Sequence, residues 1–145
     1  MKKKETIIVA CHGSFGYKIH EGHKKFLSFA RQYGSRLFVF VTPDYVIERH
    51  KNRKPYYSQH IRARNLQNLD DVNAAIPMIG SIEVENQDQI VKFHPDIHVF
   101  GPDQCNEWDI GLREKLININ VKLVEAPKNL KLFSTTQLLK GIGYI

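Results

Sequence analysis

The sequence predicts an α/β fold: a single doubly wound domain over residues 1–145, with a five-stranded parallel sheet and helices on both faces. Three observations carry that expectation. Short runs of β-branched and aromatic residues, of the length and composition of strands buried on both faces, recur along the chain. Stretches with apolar residues at helical spacing separate them, and strands alternating with helices describe a doubly wound parallel sheet. The chain of 145 residues, 42% of them hydrophobic, suits one ordinary core and contains no internal repeat, low-complexity segment or long linker.

The elements follow in order. Thr6–Cys11 (TIIVAC) and Arg36–Val41 (RLFVFV) read as the first two strands. Between them, Gly22–Tyr33 places Phe26, Leu27, Phe29 and Ala30 at helical spacing, with Gly34 as a C-cap. Strand, helix and strand at this separation form a right-handed βαβ unit. The basic stretch Arg49–Lys54 (RHKNRK) reads as a loop between structured segments, and Ser58–Leu69 as a helix with Ser58 at its N-cap. Ala74–Met78 is a short strand, and Asn86–Phe93 a short helix ended by the signal of Pro95. Ile97–Phe100 (IHVF) is a strand closed by Gly101-Pro102. Glu107–Ile117, Val121–Glu125 and Ser134–Leu139 then read as helix, strand and C-terminal helix.

Cys11 and Cys105 are too few for a disulfide framework or a CxxC metal site, which suits a reducing compartment. Apolar runs all fall short of the ~18 residues of a membrane span, and Met1–Lys4 leads only into Ile7–Cys11. The chain therefore reads as cytoplasmic. A formal net charge of +6 suits an anionic partner. Charge alone does not decide between a polymer and a small phosphate compound, but the basic residues are not interleaved with an aromatic surface in a nucleic-acid-binding motif, which weighs against a nucleic acid.

In a doubly wound sheet, ligands bind beyond the carboxyl ends of the strands. The loop after the first strand reads GSFGYKIHEGH from Gly13 to His23 and runs into the first helix. Free N–H groups at a helix N-terminus attract phosphate, and Gly22 permits its close approach. His20 and His23, three residues apart, lie on one side of the first turn if the helix begins near His20. Two imidazoles there suit a phosphate whose charge shifts during reaction. Lys18 lies close by as a further cation, and His12 sits at the strand exit. The remaining histidines show no metal-ligand spacing.

This loop resembles the first loop of the cytidylyltransferase-like nucleotidyltransferases, which reads GxFDxxHxGH: Gly13, Phe15, His20, Gly22 and His23 stand in order. Gly16 replaces the family's Asp, and one additional residue separates Gly13 from His20. Ser134-Thr135-Thr136, opening the last helix, resembles the family's STT motif.

The resemblance implies in-line attack by an acceptor phosphate on the α-phosphorus of a nucleoside triphosphate, with pyrophosphate released. His20 and His23 would then act at the α-phosphate, with Lys18 in support. Gly13, Ser14, Phe15 and Gly22 would hold the nucleotide. Ser134, Thr135 and Thr136 would hold the β- and γ-phosphates. Lys51, Arg53 and Lys54 resemble a basic loop that closes over phosphates, and Arg62 matches an arginine near the start of the next helix. Asp70 stands where the family often has another basic residue. Gly101-Pro102-Asp103-Gln104 resembles the GxDQ turn that lies near base and acceptor.

Mg²⁺ is implied with the triphosphate, and no all-protein metal site is expected. The GPDQ turn and chain length are most similar to archaeal-type FAD synthetases, which move AMP onto FMN. Glycerol-3-phosphate cytidylyltransferases and pantetheine-phosphate adenylyltransferases share other motifs, so base and acceptor stay open, as does a homodimer. The altered first loop also keeps open a nucleotide-binding regulator that has lost turnover.

Overall fold

The computed structural model describes residues 6–130 and 139–144. Five strands, β1 (Ile8–Gly13), β2 (Arg36–Val41), β3 (Ala74–Pro77), β4 (Ile97–Phe100) and β5 (Lys122–Glu125), pair in parallel in the order β3-β2-β1-β4-β5. The chain winds outward from β1 through β2 to β3, then returns to the other side of β1 for β4 and β5. The reversal falls between β1 and β4, where a crevice opens beyond the strand ends.

Alternate residues of β1 build two cores. Val9 and Cys11 join a cluster with Leu27 and Ala30 of α1 (Glu21–Arg31) and Leu66 of α3 (Gln59–Gln67). Ala10 points the opposite way, into a cluster with Ile90 of α4 (Glu83–Phe93) and Leu112 and Leu116 of α5 (Glu107–Asn118). Helices therefore cover both faces, as the continuous apolar strands require. No described helix is long and apolar enough to cross a membrane.

Several elements differ from the sequence expectation. β1 continues to Gly13, because its register with β2 runs on through His12↔Phe40 and Gly13↔Val41. The stretch Arg49–Lys51 is the last turn of an unanticipated helix, α2 (Asp44–Lys51), which starts after Pro43 and closes at Asn52 in the left-handed conformation. Its only buried residue is Ile47, so it lacks an apolar stripe to reveal it. α4 starts at Glu83, three residues before Asn86, because the Glu85 carboxylate accepts from the N–H groups of Ser81 and Ile82. Gly34 is not the cap of α1, which is Gln32; a Cβ at Gly34 would stand 2.6 Å from the carbonyl oxygen of Ile7. That glycine lets the α1–β2 connection pass against the start of the sheet. The expected helix Ser134–Leu139 lies almost wholly outside the described residues, which resume with helical residues 139–141.

Candidate active site

The crevice holds two adjoining cavities. The first, about 320 Å³, lies between the β1–α1 loop, Lys51 at the end of α2 with Arg53 and Pro55 beyond it, and the Gly101–Gln104 turn after β4. The second, about 310 Å³, lies towards β2 and β3 and has Pro43, Val46, Met78 and Trp108 among its apolar walls. Both are lined by His12, Gly13, Ser14, Ile47, Lys51, Asp103 and Gln104, so they meet at the end of β1.

His20 and His23 form the wall of the first cavity at the start of α1. Their rings stack with centroids 3.6 Å apart and planes 15° from parallel. His20 is the N-cap: its Nδ1 accepts from the N–H of His23 at 3.2 Å, while Nδ1 of His23 accepts from the N–H of His20 at 3.4 Å. An acceptor nitrogen carries no proton. Both neutral rings therefore bear their proton on Nε2, and the reciprocal cap fixes the tautomer. Burial lowers the pKa of His20, while burial and then the neighbouring His20 lower that of His23 to about 3. At neutral pH the pair offers two oriented N–H donors.

Gly13 and Phe15 shape the loop between them. Phe15 has φ 49° and packs its ring against His23, with centroids 5.0 Å apart. A Cβ at Gly13 would lie 2.8 Å from the Phe15 ring, so glycine there lets that ring keep its place in the loop. Gly16 and Gly22 also line the first cavity.

Arg62 is fully buried. Its Nε donates to the carbonyl of Tyr57, Nη1 to the carbonyl of Ser14 and Nη2 to Asp44 Oδ1, at 3.0, 2.8 and 2.6 Å. It ties α3, the first loop and α2 together and does not line either cavity. Lys18 is not in the cleft either: it is exposed, with its ammonium over the Tyr17 ring. Lys54 lies outside the cavity linings, whereas its neighbours Lys51 and Arg53 line the first. Ser134, Thr135 and Thr136 lie outside the described residues.

Gln104 bridges the two strand ends, accepting from the N–H of Gly101 and donating to the carbonyl of His12, each at 2.7 Å. Beneath it lies a buried chain that sequence reasoning missed. His12 Nε2 meets Asp109 Oδ1 and His12 Nδ1 meets His98 Nε2, both at 2.9 Å. Asp109 accepts from the His12 Nε2–H, and the two imidazoles share the second hydrogen bond between His12 Nδ1 and His98 Nε2. Both His12 nitrogens are thus engaged within the protein, which makes it a polar strut between β1, β4 and α5. His98 inside the apolar strand Ile97–Phe100, with His12 at the exit of the first strand, was the signal for it. Among the described residues no group of three or more His, Cys, Asp or Glu could hold a metal ion.

A parallel sheet whose central strand ends against paired neutral imidazoles, with basic residues across a phosphate-sized cleft, has the frame of a nucleotidyltransferase. The chain belongs to the cytidylyltransferase-like family, whose model matches residues 11–141. It is 35% identical over 130 residues to FAD synthase of Thermococcus sibiricus, a match covering 88% of this chain and 84% of that protein. It is also 36% identical over 109 residues to FAD synthase of Pyrococcus abyssi, covering 72% and 69% respectively. Among solved structures, the lipopolysaccharide core biosynthesis protein from Thermoplasma volcanium GSS1 matches with TM-score 0.71 and 26% identity, over 85% of this chain and 98% of that one.

Proposed function

We propose that the protein transfers the adenylyl group of ATP to FMN, forming FAD and releasing pyrophosphate. The observation that carries FMN as acceptor is the 35% identity to a FAD synthase across most of both chains. In this reading the triphosphate occupies the first cavity and the acceptor the second, whose apolar walls Met78, Val46 and Trp108 suit a flat ring system. The acceptor's phosphate then meets the α-phosphorus where the cavities join, beside Gly13 and Ser14.

An oxygen of the FMN phosphate forms the new bond to the α-phosphorus, and the bond from that phosphorus to the oxygen bridging the β-phosphate breaks. The pyrophosphate leaves with the bond electrons. Since the attacking phosphate is already ionised, no general base is required. The Nε2–H groups of His20 and His23 donate to the α-phosphate oxygens as charge builds there, already oriented by the helix cap. Lys51 and Arg53 hold the departing phosphates. Arg62 works indirectly, fixing the Ser14 carbonyl and the start of α2.

Mg²⁺ would arrive on the triphosphate, since the described residues form no cation cage, and would neutralise phosphate charge. The test is pyrophosphate release from ATP and from CTP, each with FMN and with glycerol 3-phosphate. Turnover with ATP and FMN alone is expected. Turnover only with CTP would transfer the reading to a cytidylyltransferase, and tight ATP binding with no turnover would support a regulator.

A further inference from the structure

The cleft is held from outside by a cluster of four tyrosines. Tyr17 comes from the first loop, Tyr56 and Tyr57 from the segment between α2 and α3, and Tyr144 from the C-terminal end of the chain. Tyr56 stands edge-on to Tyr17, Tyr57 and Tyr144, with ring centroids 4.6, 4.9 and 5.0 Å away, and Tyr57 stacks on Tyr17 at 5.9 Å. The Tyr144 hydroxyl donates across the carbonyl oxygens of Lys54 and Pro55, at 3.1 and 3.3 Å. None of the four lines either cavity.

The segment they grip has a physical problem. Arg49, Lys51 and Lys54 bring cations close together in one helical turn and the loop after it, and like charges repel. Glu83 offsets one end by pairing with Arg49 at 3.0 Å and His50 at 2.9 Å. Further along, Pro55 touches the cleft on one side and is bonded by Tyr144 on the other. Edge-to-face rings and a backbone-directed hydroxyl supply attraction that carries no charge, so they oppose the repulsion without competing for the ligand.

We propose that Tyr56 and Tyr144 are positioning residues for the triphosphate, holding Lys51–Pro55 in its phosphate-binding arrangement before the ligand arrives. Preorganisation of this kind lowers the ordering cost of binding and leaves the chemical step alone. The inference rests on the triphosphate reading of the first cavity.

The experiment uses Tyr144→Phe, which keeps the ring and removes the hydroxyl, and Tyr56→Leu, which removes the central ring. Tyr33→Phe, outside the cluster, is the control. Calorimetric titration with Mg²⁺-ATP is expected to show about fivefold weaker binding for Tyr144→Phe, the scale of one neutral hydrogen bond, and a larger loss for Tyr56→Leu. In turnover assays the KM for ATP should rise while kcat stays within about twofold and the KM for the acceptor is unchanged. Unchanged ATP affinity in both variants overturns the proposal, and so does a lowered melting temperature without an affinity change, which would make the cluster merely structural. If wild type binds ATP but does not turn over, the nucleotidyl-transfer reading fails while the titration still decides the tyrosines. If it binds neither ATP nor CTP, both fall. If Tyr56→Leu does not fold, Tyr144→Phe with hydrogen exchange of residues 52–57 in unliganded wild type decides: protected amides support the proposal and unprotected ones overturn it.

Discussion

Each imidazole of the His20–His23 pair accepts a backbone N–H through Nδ1, so an alanine at either position removes a helix cap as well as a donor. The two losses can be separated at His20. Asparagine is a good N-cap and keeps an acceptor for the His23 N–H, but it lacks the ring's second nitrogen. His20→Asn is expected to keep its melting temperature while kcat falls by ~10²-fold or more, the scale of losing an oriented donor to a reacting oxyanion. His20→Ala should lose stability as well, by about 1 kcal/mol. An exposed histidine, His60, replaced by alanine should change neither quantity. Unaltered kcat in His20→Asn would mean that the imidazoles serve the cap alone. Much of the cleft was legible at this scale, because Gly13, Phe15, His20, Gly22 and His23 carry a recognisable order and the structure places all of them at the first cavity. The burial of Arg62 was not, since a helix that buries Arg62 beside Ala63 and Leu66 gives no apolar period from which to read a buried cation. Nor was Asp109, whose partner His12 lies 97 positions away in the chain.

At the level of elements, β3 is an edge strand, and an open edge offers its N–H and C=O groups to other chains. Two glutamine side chains occupy it. The Gln67 amide donates to the carbonyl of Asn73 and accepts from the N–H of Ala75, as a neighbouring peptide would. Gln89 repeats the pattern one step on, donating to the carbonyl of Pro77 and accepting from the N–H of Ile79. Pro77 itself has no N–H to offer. The double variant Gln67→Leu with Gln89→Leu should therefore self-associate in a concentration-dependent way, read by light scattering, whereas Gln32→Leu at the C-cap of α1 adds apolar surface away from the edge and should have no effect. Equal scattering from both would remove the edge from the explanation. The strands were readable because five apolar runs have no other home than a covered parallel sheet. α2 was hidden because its residues Asp44–Lys51 are mostly polar and bury only Ile47, and the end of β1 because His12 reads as a loop residue until His98 and Asp109 satisfy it.

Across the whole molecule, the same burial that makes the histidines useful donors couples the fold to pH. Burial lowers the pKa of His20, takes His23 to about 3 and holds His98 well below the ordinary 6.5. In the unfolded chain each titrates near 6.5, so below that pH the unfolded state binds more protons than the folded one. The sign follows: stability is fully present above about 6.5 and is lost as pH falls from there towards 3. Acid also raises a net charge that already stands at +6, and self-repulsion acts in the same direction. Salt separates the two causes, since it screens exposed charges but reaches buried imidazoles far less. The melting temperature is expected to fall steadily between pH 7 and pH 5, and to keep most of that fall at about 0.5 M salt, where the screening length is only a few Å. His23→Asn, which retains a cap acceptor and has nothing to titrate, should show a shallower slope by up to one proton's worth. A flat profile, or a slope that salt abolishes, would assign the acid sensitivity to surface charge and leave the buried histidines without a part in it.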